Sequence, residues 1–339
     1  MKDLRRFFIR ICSNKPLLFL LGILLLCIVS LMSLIFGSVS LSLVELWEGL
    51  FDSNSLAHTI LFNLRLPRLV GGLLAGAAFS AAGVVLQGVL NNALASPNVI
   101  GVNAGAGFAV MLLLALLPQW SAYTALAAFL GAFGTALLIV TIASKTGASR
   151  ITLVLSGVAV SSFLNAMMSA LELMHVDLAV NVKVFMSGSL ANIHFSQLGM
   201  PAFFILFALC LVGLFARSLN ILMLGDEVAA SLGLNSSKVR LILLLLASLL
   251  AGSAVSYAGL IGFVGLIVPH FARKLVGNDH TILLPFAILC GSIFTLLCDL
   301  SGRVFFTPYE LPVGIVLAFI GSPFFLFLLM SQKGRRIHD

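Results

Sequence analysis

The stretch AGAAFSAAGVVLQGVL at residues 75–90 aligns without a gap to AGSAVSYAGLIGFVGL at 251–266, with seven identities in sixteen positions. Helices rich in alanine and glycine match easily by chance, so the likeness gains weight only from where the two copies fall. Apolar runs counted outward from them are Leu17–Phe36, Leu69–Leu90, Val99–Leu117, Tyr123–Ala143, Ile151–Leu171, Leu198–Ala216, Leu241–Ala258, Leu260–Ala272, Ile282–Cys298 and Leu311–Met330. A bilayer core about 30 Å thick takes roughly 20 apolar residues per helix. Inside lipid only helices satisfy the backbone of such runs. The copies begin in runs two and seven, five apart, and therefore cross the bilayer in opposite directions. Inverted repeats of this kind place a route between two halves and suit alternating access. The expected fold is an all-α integral membrane protein of about ten transmembrane helices, with inverted repeats over spans 2–5 and 7–10. Small residues recur at close-packing spacing, as in Gly72/Gly76, Gly101/Gly105 and Gly259/Gly262/Gly265, and are expected to serve helix packing.

Composition agrees. Sixty per cent of the 339 residues are apolar and 9% are charged, where a soluble domain carries about 25% charged residues. The net charge of +7 is informative through its placement. With the N-terminus in the cytoplasm, Lys2, Arg5, Arg6, Arg10, Lys15, Lys145, Arg150, Arg217, Lys238, Arg240, Arg273, Lys274, Lys333, Arg335 and Arg336 all fall inside. Only Arg65, Arg68, Lys183 and Arg303 fall outside, as the positive-inside rule requires for ten spans. Nine spans would move the C-terminal basic cluster out, which keeps the short, glycine-rich eighth run in the count. No A-x-A site follows the first run, so an uncleaved anchor is expected. No nucleic-acid partner is expected, and membrane lipid surrounds the chain. The five cysteines lack metal or redox spacing and read as small hydrophobes.

Catalytic signatures are missing. There is no H-E-x-x-H, G-x-x-x-x-G-K-[ST] or G-x-S-x-G. His175, His194, His270 and His280 fall at span ends or in loops, where solvation or capping accounts for them. No Asp, Glu, Lys or Arg falls inside the expected spans except Asp299, at the very end of the ninth. An ion-coupled carrier needs such groups at depth. The chain is expected to be no enzyme and to hold no cofactor or metal. It reads as one subunit of a machine energised elsewhere, with an ion-coupled carrier as the less favoured alternative.

Four segments carry a resemblance. They are RLPR at 65–68, NNALASPNVIGVNAGAG at 91–107, GDEVAASLG at 225–233, and GLIGFVGLIVPHFAR at 259–273 followed by ELPVG at 310–314. In this order they resemble the FecCD-type permeases of ATP-binding-cassette importers, which take up iron–siderophores, haem and vitamin B12. The likeness runs from about Arg65 to Leu328. Ala93 stands where the family usually has proline, and Phe185-Met186-Ser187-Gly188-Ser189 stands where it usually has W-x-x-G-S. The resemblance implies a permease that moves an iron(III)-siderophore chelate, with haem or cobalamin as alternative cargo. Implied partners are a second permease copy or close homologue, two ATPase subunits that bind ATP and Mg, and an extracytoplasmic substrate-binding protein. The implied location is the bacterial inner membrane, multi-pass, with both termini cytoplasmic. The chain is then one permease domain over 1–339: 1–16 a cytoplasmic N-terminus, 221–237 the coupling helices, and 331–339 a cytoplasmic tail.

Site residues follow from the same resemblance. Asn92 and Leu94, with Ala148 and Ser149, match constrictions at the cytoplasmic gate; ordinary turn chemistry is the competing reading. Gly225, Asp226 and Glu227 open a short coupling helix, with the acids at its positive end. Val228, Ala229 and Leu232 would form its apolar stripe, and Gly233 would end it. Arg65, Arg68 and Arg303 match positions that dock the binding protein through bidentate arginine–carboxylate pairs. Snorkelling toward headgroups is their alternative.

Overall fold

The computed structural model describes residues 14–37, 42–52, 54–97, 101–145, 150–175 and 178–333. No strand occurs among them. In chain order the helices are α1 (Lys15–Ile35), α2 (Leu43–Phe51), α3 (Leu66–Leu90), α4 (Val102–Leu116), α5 (Thr124–Lys145), α6 (Arg150–Met174) and α7 (Leu178–Ser187). There follow α8 (Phe195–Leu214), α9 (Ala216–Met223), α10 (Asp226–Ser231), α11 (Ser236–Ala258), α12 (Val264–Val276), α13 (His280–Val304) and α14 (Val313–Lys333). A helical lead-in, Leu56–Ile60, and a π turn, Leu61–Arg65, run directly into α3.

Among the described residues each of the ten expected runs has a helix, although the eighth begins four residues before its own. Seven are long and apolar enough to cross a membrane by themselves; α4 and the apolar part of α14 are shorter. α12 has 13 residues and reaches only about 20 Å, so it can span only together with the non-helical stretch before it. Periodicity had not separated out α2, α7 or α9, which are short connecting helices beside the spans.

α3 is buried on all sides, and its composition explains how. A helix crowded from every direction needs small residues so that neighbours can approach. A Cβ on Gly76 would overlap the Gly291 carbonyl, and one on Gly83 would overlap the Gly265 carbonyl. Along α3 and α13 the paired positions run in opposite order. Arg68 meets Asp299, Gly72 faces Leu296, Ser80 donates to the Ala287 carbonyl at 2.7 Å, and Gly88 faces His280. The two helices are therefore antiparallel.

The halves exchange partners. α3, first in one repeat, packs on α13 of the other, and α11, first in the second repeat, packs on α5 of the first. Within the halves α4 packs on α5 and α12 on α13. This reciprocity is what a two-fold relation between inverted repeats produces. The copies part at one point. α3 continues through Gly83, whereas α11 stops at Ala258, because Gly259 takes φ +70°, a backbone state that suits glycine.

Exposed leucine and isoleucine side chains cover the outer face of α1, as a lipid-facing surface requires. The reading of the cysteines holds for Cys298, which is buried, and partly for Cys290. Cys27 and Cys210 are exposed instead, on α1 and α8; Cys12 lies outside the described residues.

Candidate functional site

The backbone break in the second repeat lies beside two cavities. Non-helical backbone at membrane depth is tolerated only where protein partners satisfy it or where it lines a cavity. Here both hold. Leu260 N–H donates to Phe185 O at 3.1 Å, Ser189 N–H to Ala258 O at 2.9 Å, and Gly314 N–H to Gly188 O at 3.0 Å. The break thus joins α7, α11 and α14. One cavity, of about 690 Å³, is lined by Asn103, Met186, Ser187, Leu260, Phe263 and Phe319 among others. A second, of about 440 Å³, is lined by Val110, Phe185, Ser189, Asn192, Tyr257 and Gly259 among others. Neither lining includes a charged side chain. Phe263 sits at φ +66° where α12 begins, an unusual state for a bulky residue. Its ring occupies the space a Cβ on Gly321 would need. Sequence reasoning passed over Phe263, since backbone strain leaves no mark in composition.

Asn91 takes φ 48° and caps the end of α3. Asn92 Oδ1 then accepts the Leu94 N–H at 2.9 Å, an Asx turn. Asn92 is exposed and Leu94 half-buried. Pro97 is buried, with its ring beside Gly265 in the first turn of α12, so the loop leans on the broken region. Ala148 and Ser149 lie outside the described residues.

Two glycines bound α10. Gly225 takes φ +106° ahead of α10, and Gly233 takes φ +79° beyond it. Gly233 N–H bonds Ala230 O at 3.0 Å and Leu234 N–H bonds Ala229 O at 2.9 Å, the paired closure of a Schellman motif. Asp226 and Glu227 occupy the first turn as expected. Asp226 also pairs with the buried Arg240 of α11, Oδ1 to Nη2 at 2.7 Å. The expected stripe is corrected: Val228 and Leu232 are 43% and 61% exposed, but Ala229 is 0% exposed. Val228 and Leu232, four apart, share the outer face; Ala229 lies one residue on and turns inward.

The three arginines expected at the outer surface are buried. Arg68 reaches both Asp299 oxygens from Nε and Nη2 at 2.9–3.1 Å, and Glu310 from Nη1 at 2.7 Å. Arg303 Nε lies 3.1 Å from Asp299 Oδ2. Arg303 also donates to Ser33 Oγ at 2.7 Å and Phe36 O at 3.1 Å. Arg65 donates to the Leu34 carbonyl and to Ile35 O at 2.8 Å. The last carbonyls of a helix lack partners and carry its negative pole. Arg65 and Arg303 fill that need for α1, and Asp299 balances the charge. The helices extend past the expected apolar runs, so Arg68, Asp299 and Arg303 stand in the end turns of α3 and α13, and the alternative of snorkelling does not hold. Asp299 and Glu310 are the members that sequence reading missed; the scarcity of outer cations was the available signal.

His280 is fully buried, so of the two roles expected for it, solvation or capping, solvation does not hold. Its Nδ1 lies 2.7 Å from Asn220 Oδ1. Asp279 caps α13, and its carboxyl is held below the usual carboxylate range. Hydrogen bonds from the Asn220 amide first, then from the Thr281 backbone and hydroxyl, cause this.

An all-helical, multi-pass membrane protein whose halves exchange partners around a broken helix is a transport permease in architecture. The chain belongs to the FecCD transport family, whose family model matches residues 24–331. It is 36% identical to the Fe(3+)-citrate import system permease protein YfmD of Bacillus subtilis, over 96% of this chain and 97% of that one. It is 39% identical to the ferric enterobactin transport system permease protein FepD of Escherichia coli, over 91% and 94%. It is 35% identical to the hemin transport system permease protein HmuU of Yersinia pestis, over 93% and 95%. In three dimensions it is similar to a solved inward-facing conformation of a metal-chelate type ABC transporter. The TM-score is 0.84 at 30% identity, covering 94% of this chain and all of that one.

Proposed function

We propose that this chain is the permease subunit of an ATP-binding-cassette importer that moves an iron(III)-siderophore chelate across the inner membrane. The observation that carries this reading is the end-to-end similarity to import permeases of iron(III)-citrate and ferric enterobactin. The cavities suit such cargo. A chelate has its metal's coordination sites filled, so the wall needs shape and a few polar atoms, not ligands. Asn103, Ser187, Ser189 and Asn192 supply those atoms among apolar neighbours. The hemin permease relative keeps haem as a second reading, for which the same apolar lining is suited.

Energy comes from two partner ATPases that bind ATP and Mg, with a second permease copy completing the route and both termini in the cytoplasm. α10 inserts its exposed Val228 and Leu232 into the ATPase, and Asn92 with Leu94 narrows the inner mouth. A binding protein docks over Arg65, Arg68 and Arg303; to do so, its carboxylate exchanges with half-buried Glu310 as the partner of Arg68. The test is uptake of radiolabelled iron chelates into proteoliposomes holding permease, ATPase and binding protein. Uptake that requires ATP and the binding protein supports the reading. Uptake driven by a proton gradient without ATP would sink it.

A further inference from the structure

Beside the coupling turn lies a half-buried polar joint, closed by the buried His280, that the proposed transport cycle leaves unused. Asn220 is on α9, the helix that leads through Leu224 and Gly225 into α10. Its side-chain oxygen stands 2.9 Å from the His280 backbone nitrogen and 2.7 Å from His280 Nδ1. Its amide nitrogen donates to Asp279 Oδ1 at 2.8 Å. A carboxylate only accepts, so the Asn220 amide can point only one way and its oxygen must face the ring. Nδ1 of His280 therefore carries the proton.

The far side of the ring faces the last turn of α3. His280 Nε2 is shut off from solvent without a partner among the described residues. A Cβ on Gly88, in the last turn of α3, would stand 3.2 Å from that nitrogen and 3.0 Å from Leu219 of α9. Gly88 thus lets α9 and the ring press directly on α3. Next to it, Gln87 accepts from Arg273 of α12 at 3.1 Å, and its carbonyl accepts the Asn92 N–H at 3.1 Å. The helix before the coupling turn, the start of α13 and the end of α3 meet in one dry contact.

We propose that Asn220 and His280 are positioning residues that carry movement of the coupling turn into α13 and the last turn of α3, and so to the Asn92–Leu94 loop. This rests on the coupling role proposed for α10. One acceptor shared by two donors of the same residue holds α9 against α13 at a fixed angle. Displacement of α9 is therefore passed on and not absorbed. Asp226 to Arg240 is a parallel tie from α10 to α11.

The experiment measures chelate imported per ATP hydrolysed by the full assembly in proteoliposomes. Asn220→Ala keeps a good helix former at a half-buried position and removes the clamp. Import per ATP is expected to fall about tenfold, the order of effect of one buried hydrogen bond, with ATP hydrolysis little changed. His280→Leu is expected to match it. His280→Asn, whose amide can donate from where Nδ1 stood, is expected to restore the ratio. An unchanged ratio in Asn220→Ala overturns the proposal. So does a proportional fall of hydrolysis and import, or a His280→Asn as impaired as His280→Leu. Normal transport by Leu232→Arg would instead overturn the coupling role of α10 itself. A dead Leu232→Arg beside a fully coupled Asn220→Ala would overturn the joint alone.

Discussion

At the scale of the residue, Asp299 has the most to lose. It is 1% exposed and sits between Arg68 and Arg303. Removing one member of a buried ion cluster leaves uncompensated charge, at a cost of about 3–5 kcal/mol. Asp299→Ala should therefore lower the unfolding midpoint of the detergent-purified permease sharply, more than Glu310→Ala, whose carboxylate is partly exposed. Equal midpoints for the two variants would contradict the cluster's role. Asp279 behaves differently. Its depressed pKa means that its share of stability is present above the unfolded-state value and is lost only as pH falls through the still lower folded value. The α13 cap should thus survive from neutral pH to about pH 5, read as a midpoint difference between the unaltered permease and Asp279→Ala that stays constant over that range. Little of this was legible beforehand. Arg303 lies four residues beyond Asp299 and that spacing is visible, but Arg68 lies 231 residues away. Only the anomaly of outer arginines hinted at a shared partner.

At the scale of the element, α10 separates two effects that its sequence had merged. Leu232→Arg puts a charge on the exposed face and should abolish stimulated ATP hydrolysis and uptake while the permease still inserts. Ala229→Arg instead drives a guanidinium into a filled site, and should reduce the amount of assembled permease recovered from membranes. Equal recovery of the two variants would show that the faces have been assigned wrongly. Gly225→Ala places a Cβ at φ +106° and ψ 160°, a region nearly confined to glycine, and should cost about 1–3 kcal/mol through strain, seen as a lower midpoint. The glycines flanking α10 and the acids opening it were plain in the sequence, because caps and turns are local chemistry. Which face turned inward was not, since a six-residue helix has too few positions to show periodicity.

At the scale of the molecule, the α3 contacts with α12 and α13 set how closely the halves approach. Gly83→Val should prevent that approach, because its Cβ would meet the Gly265 backbone, whereas Gly199→Ala meets nothing within 4 Å and should assemble normally. Size-exclusion profiles of the two variants distinguish these outcomes. Between copies, cysteines at Leu94 should crosslink across the dimer axis when the inner mouth is closed. Failure in every nucleotide state would remove the gate assignment.

The sequence by itself determined the bilayer setting, the ten apolar runs, the inverted repeat and the family, because each rests on composition, period or contiguous motif. These signals survive without knowledge of what packs on what. Tertiary structure alone decided that the outer arginines turn inward to close the end of α1, that His280 is dry, and that Ala229 faces its own subunit. The physical reason is shared: burial and ion pairing depend on helices brought together from distant parts of the chain. Arg68 and Asp299, or Asn220 and His280, become neighbours only when α3 and α9 come against α13.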